Sequence, residues 1–280
     1  MAPTVHQWPA QQRVHHSSVA AALPEELADC RKVLLATTRS LAGSGIAAAV
    51  RAAIGSRLVA ETAAMRAHSP VEDVLALAGL LRTSGAERVV TLGGGSVIDG
   101  AKVACFAVWQ GIADRPTLLA RTSGRGAQRE GWRREEPTPR LIAVPTTLSA
   151  AEFAPHAGVT DLQEGRKYRF LDSMQVPRAV ILDPAATLDT PAELLLSSGI
   201  RAFDHAAERW CATERTAFSD AVSRQAMEML ATALPRVRQT PADLQARAMA
   251  QEAMWLSVMG GWSGVAVGAS HGIGYLLGGG

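Results

Sequence analysis

Arg88-Val-Val-Thr-Leu-Gly93-Gly94-Gly95-Ser96-Val-Ile-Asp99-Gly-Ala-Lys102 decides the fold. Five residues of strand character run into three glycines, and an apolar-periodic helix follows at once. Glycine lets a backbone approach a bulky ligand and take up positive φ without a Cβ penalty. A helix opening there turns unpaired N–H groups and the positive end of its dipole toward the turn, a setting that suits phosphate. Ser96 and Asp99 also match a Ser-x-x-Asp capping box, which would close the helix start without a ligand. The glycine spacing is neither the usual dinucleotide fingerprint nor a Walker loop. On these residues alone, phosphate binding and a plain tight turn both stand.

Toward the N-terminus, Lys32-Val-Leu-Leu-Ala-Thr37 has the apolar run of a buried strand. Thr38-Arg39-Ser40 follows its carboxyl end, where doubly wound folds place cofactor contacts. With no acidic residue there to hold a ribose 2′-hydroxyl, Thr38 and Arg39 leave room for a 2′-phosphate; a solvated loop arginine is the alternative. Residues 44–54 suit a helix and 56–60 a second strand. Ser69-Pro70-Val71-Glu72 forms a capping box with proline at the first helical position. Val71, Val74, Leu75, Leu77 and Leu81 give that helix its apolar face. Residues 1–30 are poorly patterned, and 1–12 resemble a loose tail. Strand alternating with helix predicts a parallel sheet.

Toward the C-terminus, residues 121–140 are rich in Arg, Glu and Gly and suggest an exposed loop. Arg140-Leu-Ile-Ala-Val144 is another strand, ending in Pro145-Thr146-Thr147. Two hydroxyls at a strand's carboxyl edge can reach a ribose or a nicotinamide amide, or can cap a turn. Gly158 to Lys167 suggests a hairpin with Lys167 at its surface, and Pro177-Arg-Ala-Val-Ile-Leu182 a last strand. Thr190-Pro191-Ala192-Glu193 and Thr240-Pro241-Ala242-Asp243 are two further capping boxes. No strand signal follows Pro184, so the expected domains are an α/β domain over 1–184 and an all-helical one over 185–280.

A formal charge of +2 over 280 residues offers no basic surface for nucleic acid. Cys30, Cys105 and Cys211 form neither a metal spacing nor a disulfide framework, which favours a reducing cytoplasm. The N-terminus lacks the apolar core of a signal peptide. Residues 253–280 carry no Asp, Glu, Lys or Arg, a length that could span a bilayer. Gly260, Gly264, Gly268 and Gly272 recur every four residues. Ser263, Ser270 and His271 make the stretch only mildly hydrophobic, so a buried helix with a small-residue face is expected, not a membrane span.

The string from Gly93 to Lys102 resembles the Gly-Gly-Gly-Ser-x-x-Asp-x-x-Lys signature of the iron-type alcohol dehydrogenase superfamily, which includes maleylacetate reductases. The resemblance implies a nicotinamide dinucleotide, NADH or NADPH, bound at Gly94, Gly95, Ser96 and Asp99. Val144 to Phe153 is similar to the family's Pro-Thr-Thr segment in the shorter form seen in maleylacetate reductases, implicating Thr146 and Thr147. The block from Gly158 implies that Lys167 approaches the cofactor ribose.

Ser198 to Glu208 resembles the family's metal-binding helix, where an aspartate and a histidine sit at i and i+4. His205 matches the histidine, but Arg201 occupies the aspartate's place, and a guanidinium would repel iron or zinc. Asp204, three residues on, suits a salt bridge to Arg201 better than a metal. In a purely structural alternative Arg201, Asp204, His205 and Glu208 form a solvated stripe, opposite a core face of Ile200, Phe203, Ala207 and Trp210. In Ser270-His271-Gly-Ile-Gly-Tyr275, His271 matches a ligand, and Tyr275 replaces a second histidine that lines the catalytic pocket in relatives. Gly280 precedes the family's last ligand. A divalent metal is therefore doubtful, with His205, His271 and Asp204 as its candidate ligands.

The resemblance implies a Rossmann-like α/β domain with a parallel sheet followed by an all-α domain, a dehydroquinate synthase-like architecture left incomplete. A partner copy in a homodimer would cover the apolar area so exposed. It implies an NAD(P)H-dependent oxidoreductase resembling maleylacetate reductase, passing hydride to a small oxo-dicarboxylate of aromatic compound degradation. Arg201, His205, His271 and Tyr275 are its candidate catalytic residues. The alternatives are a metal-dependent alcohol or aldehyde dehydrogenase of the same family and a non-catalytic remnant that at most binds dinucleotide.

Overall fold

The computed structural model describes residues 12–123 and 136–277, the last four by backbone alone. The expected loop over 121–140 and the tail over 1–12 therefore fall largely outside the described residues. The chain divides into two units: Gln11–Pro145 with Ala151–Asp183 forms an α/β unit, and Pro184–Gly280 a helical one that also takes in Thr146–Ala150.

In the α/β unit the strands are β1 (Arg13–His15), β2 (Val33–Ala36), β3 (Leu58–Thr62), β4 (Arg88–Gly93), β5 (Arg140–Pro145), β6 (His156–Asp161), β7 (Arg166–Leu171) and β8 (Ala179–Ile181). Six of them form one parallel sheet in the order β1-β8-β5-β4-β2-β3, and β6 and β7 form an antiparallel hairpin. Strands β2, β4 and β5 are buried along their whole length, as expected of continuous apolar runs covered on both faces. The helices are α1 (Val19–Glu26), α2 (Gly45–Ile54), α3 (Val71–Ser84), α4 (Gly95–Trp109) and the short α5 (Arg115–Leu119). The chain runs outward from β2 to β3, then returns to place β4 on the other side of β2. That reversal is where open α/β sheets hold ligands, outside the carboxyl ends of the strands.

The helical unit contains α6 (Ala192–Trp210), α7 (Ala217–Gln239), α8 (Leu244–Met259) and α9 (Ala269–Leu277). Among the described residues it has no strand, and among the described helices of both units none is long and apolar enough to cross a membrane.

Several local expectations are corrected. The poorly patterned N-terminal stretch holds β1 and α1, and β1 pairs with β8 at the sheet edge. The capping boxes do not form as expected: α3 and α6 begin after Pro70 and Pro191 without side-chain caps. The Ser69 hydroxyl instead donates to Ser96 O, and that of Thr190 to Thr146 O. The cap of α8 is Asp243, not Thr240: its carboxylate accepts from Ala246 N. The expected long helix over 253–280 is broken after Met259 by a 3₁₀ turn and by Gly264, whose φ of +83° favours glycine. On α6 the buried face is Leu195, Gly199, Ala202, Ala206 and Arg209; Ile200, offered as core, is 62 % exposed.

Candidate functional site

The glycine turn closes β4 and opens α4 at the sheet's reversal point. None of its three glycines has positive φ, so left-handed geometry is not what they supply. Gly93 supplies closeness instead: a Cβ there would stand 2.7 Å from Val97 Cγ2. Gly94 caps α4 in an extended conformation with no side-chain hydrogen bond. The capping box read from Ser96 and Asp99 is absent because both side chains are engaged elsewhere. Ser96 Oγ accepts from His68 N at 2.9 Å, and Asp99 Oδ2 accepts from Gly158 N at 3.1 Å. His68 and Ser69 hold positive φ, so backbone strain is stored where this loop is pinned to the helix start. Gly94, Gly95 and Ser96 remain partly open while the helix's first amides lack a side-chain cap. Phosphate fits that arrangement.

Gly93 pairs in register with Pro145, so the Pro-Thr-Thr segment leaves the sheet beside the glycine turn. Thr146 and Thr147 are both buried, and Thr147 Oγ1 has no hydrogen-bond partner. Lys167 sits half-buried on β7, opposite Thr160. Thr38 and Arg39 follow β2, with Arg39 exposed.

Sequence reasoning missed a buried polar cluster behind the turn. The Lys102 side chain is fully buried, and its ammonium donates to Ala151 O, to Ala154 O at 2.9 Å and to His156 O at 3.2 Å. Three donors thus meet three carbonyls. Glu152 is wholly buried with no hydrogen-bond partner on either carboxylate oxygen, and burial pushes its pKa up to about 7. Burial likewise raises Asp99, against the opposing pull of Lys102, the Gly158 amide and Lys167.

In the helical unit, α6 carries Arg201, Asp204, His205 and Glu208, and α9 carries His271 and Tyr275. The expected Arg201–Asp204 pair is present at 3.7 Å. The His205 and His271 rings stack with centroids 4.7 Å apart. Glu208, left in the solvated stripe by sequence reasoning, is central: it accepts from Ser270 N at 2.7 Å and meets His271 Nδ1. Its i+4 spacing from Asp204 was the available signal. Burial would raise the Glu208 carboxyl, but the His271 hydrogen bond and the start of α9 hold it below the usual range. Burial and Arg201 push His271 down despite both carboxylates. A neutral imidazole donating Nδ1–H to a carboxylate satisfies both shifts, leaving a lone pair on buried Nε2, which has no partner. The side chain of Tyr275 lies outside the described residues.

The residues do not fit the family's metal set. Arg201 fills the aspartate's position and is paired with Asp204. Asp204, Glu208 and His271 do present ligand atoms within 4.8 Å of one another. Each, however, is already committed: Asp204 to Ser270 Oγ and Arg201, Glu208 to the α9 amides, and His271 Nδ1 to Glu208.

An α/β unit with a glycine turn at its sheet's reversal point is thus followed in the chain by a helical unit. The chain belongs to the iron-containing alcohol dehydrogenase family: that family's model matches residues 10–184, and the C-terminal model of Fe-containing alcohol dehydrogenases matches 195–280. It is 29 % identical over 265 residues to a dehydrogenase of Alternaria alternata, covering 88 % of this chain and 67 % of that one. It is 30 % identical over 250 residues to the maleylacetate reductase of Sphingobium indicum, covering 89 % and 61 %. The crystal structure of maleylacetate reductase from Agrobacterium tumefaciens superposes with a TM-score of 0.79 at 27 % identity, over 100 % of this chain and 71 % of that one. The chain thus spans about two thirds of the length of these relatives.

Proposed function

We propose that the chain is an NAD(P)H-dependent oxidoreductase acting on a small anionic carbonyl compound, of the kind that maleylacetate reductase reduces. The observation that carries this proposal is the uncapped start of α4 at the sheet's reversal point, where Gly94, Gly95 and Ser96 would receive the diphosphate. The dinucleotide, when bound, supplies the hydride. Thr147 Oγ1 and Lys167 would hold its sugar and amide groups, and exposed Arg39 would accept a 2′-phosphate.

Arg201 would hold a substrate carboxylate or developing oxyanion through its two-pronged guanidinium. Glu208 fixes the His271 ring with Nδ1–H toward itself, so Nε2 is the atom that takes or gives a proton. In its resting neutral state Nε2 accepts, which serves hydroxyl oxidation; reduction needs it protonated first. The rate of substrate reduction should therefore rise as pH falls toward the lowered His271 pKa. His205, stacked on that ring, shields it.

Calorimetry with NADH and NADPH tests the cofactor half. Arg201→Ala should raise KM for an anionic substrate by about tenfold or more, the worth of a charge-assisted hydrogen bond, and leave NADH affinity unchanged. Unchanged kinetics in that variant would remove the role given to Arg201. Protein that binds NADH yet turns over no carbonyl substrate would be a binding remnant.

A metal-dependent dehydrogenase is the second reading, favoured by the close approach of Asp204, Glu208 and His271. Stoichiometric iron or zinc by elemental analysis of purified protein would select it.

A further inference from the structure

Asp99 belongs to the glycine-turn signature, and the sequence points to it as a cofactor contact. Its carboxylate is instead spent within the protein. Oδ2 accepts from Gly158 N at 3.1 Å, and Oδ1 lies 3.9 Å from Lys102 Nζ. Lys102 cannot follow a ligand, because its three donors are taken up by the carbonyls of Ala151, Ala154 and His156. Lys167 is different. It stands on β7 opposite Thr160, and its stem crosses the hairpin over Gly158, the diagonal neighbour in the ladder. A Cβ at position 158 would come within 2.6 Å of Lys167 Cε and 3.5 Å of its Nζ. Gly158 therefore does two things: its missing side chain gives Lys167 a path, and its amide anchors the Asp99 carboxylate.

Resting on the dinucleotide site above, we propose that Asp99 is a positioning residue that holds the Lys167 ammonium beside the first turns of α4, with bare Gly158 as the channel for the lysine stem, so that a ribose-phosphate group meets a preset cation. The charge of Lys167 acts on Asp99 in the direction this geometry requires. A preset lysine is worth more to a ligand than a mobile one, because little side-chain entropy is left to lose on binding.

The test uses the full chain and four variants: Asp99→Asn, Lys167→Ala, the two combined, and Gly158→Ala. Asp99→Asn keeps an oxygen for the Gly158 amide and removes only the charge. Lys167→Ala should weaken the preferred nucleotide, NADH or NADPH, by about tenfold or more in calorimetry. Asp99→Asn should reproduce most of that loss, and the double variant should be no worse than Lys167→Ala within about twofold. Losses that multiply, or an Asp99→Asn variant that binds like the parent, overturn the proposal.

A second readout does not depend on nucleotide. The chain has three lysines, Lys32, Lys102 and Lys167, so protein carrying ¹³Cε-lysine gives a readable NMR spectrum. In the parent the Lys167 Cε should relax as a held group and in Asp99→Asn as a freely mobile one, because the anchoring charge has been taken away. If the parent chain binds neither NADH nor NADPH, the dinucleotide site is lost, and this mobility alone decides whether Asp99 holds Lys167: relaxation unchanged in Asp99→Asn overturns the proposal. Should Asp99→Asn fail to fold, Gly158→Ala replaces it: the new methyl displaces the lysine stem, and nucleotide affinity as good as the parent's would refute the channel.

Discussion

The cluster around Lys102 and the corner around His271 both set carboxylates against cations, and they end in opposite charge states. Glu152 is wholly buried with no hydrogen bond to its oxygens, and its pKa climbs to about 7 even though Lys102 is near. Glu208 is partly buried too, but it has donors from the α9 amides and from His271, and its pKa falls. Two differences act together: Glu152 is the more deeply buried group, and Glu208 has donors in contact with it from His271 and the start of α9. The Lys102 ammonium spends its donors on backbone carbonyls and leaves Glu152 none. At the corner the Ser270 amide and His271 Nδ1 meet Glu208, and the Ser270 hydroxyl donates to Asp204.

The largest expected effect comes from breaking the interior cluster. Lys102→Met should destabilise the chain by about 3–5 kcal/mol in urea unfolding, because three carbonyls lose the donor that a fully buried side chain brings them. A loss under about 1 kcal/mol would mean that water replaces the ammonium.

Next comes pH. The folded chain keeps a proton on Glu152 that the unfolded chain gives up near pH 4.5, so stability should fall as pH rises from there through about 7. The shift from 4.5 to about 7 amounts to roughly 3 kcal/mol. Glu152→Gln should match the parent near pH 4.5 and exceed it by that amount above pH 8. Parallel stability curves for the two proteins would show that Glu152 ionises normally.

At the corner, Glu208→Gln should cost about 1–2 kcal/mol, through weaker acceptance at the start of α9. It should also free the His271 tautomer, seen as mixed Nδ1 and Nε2 protonation by ¹⁵N NMR. Asp204→Asn should change stability least, by under about 1 kcal/mol in thermal unfolding, since its pair with Arg201 is half exposed. A larger loss there would erase the contrast between the two clusters.

Much of this was legible in the residues. The glycine turn, the alternation of strand and helix, the end of strand structure near Pro184 and the Arg201–Asp204 pair follow from local pattern, and each is present. The capping boxes failed because Ser69, Ser96, Asp99 and Thr190 had better partners far along the chain. β1 was missed because three residues are too few for a periodicity to show. The face of α6 was misjudged at Ile200 because small residues, Gly199, Ala202 and Ala206, and not the large apolar ones, allow its close packing.

By itself the sequence determined the family, the alternation of strand and helix from β2 to β4 and the glycine turn that ends it, since these depend on short-range periodicity and on glycine. Only the tertiary structure decided which polar groups are spent on the fold and which remain for chemistry. Hydrogen bonds such as Asp99 to Gly158 and Glu208 to the α9 amides join residues 59 and 62 positions apart, and no local pattern encodes that separation.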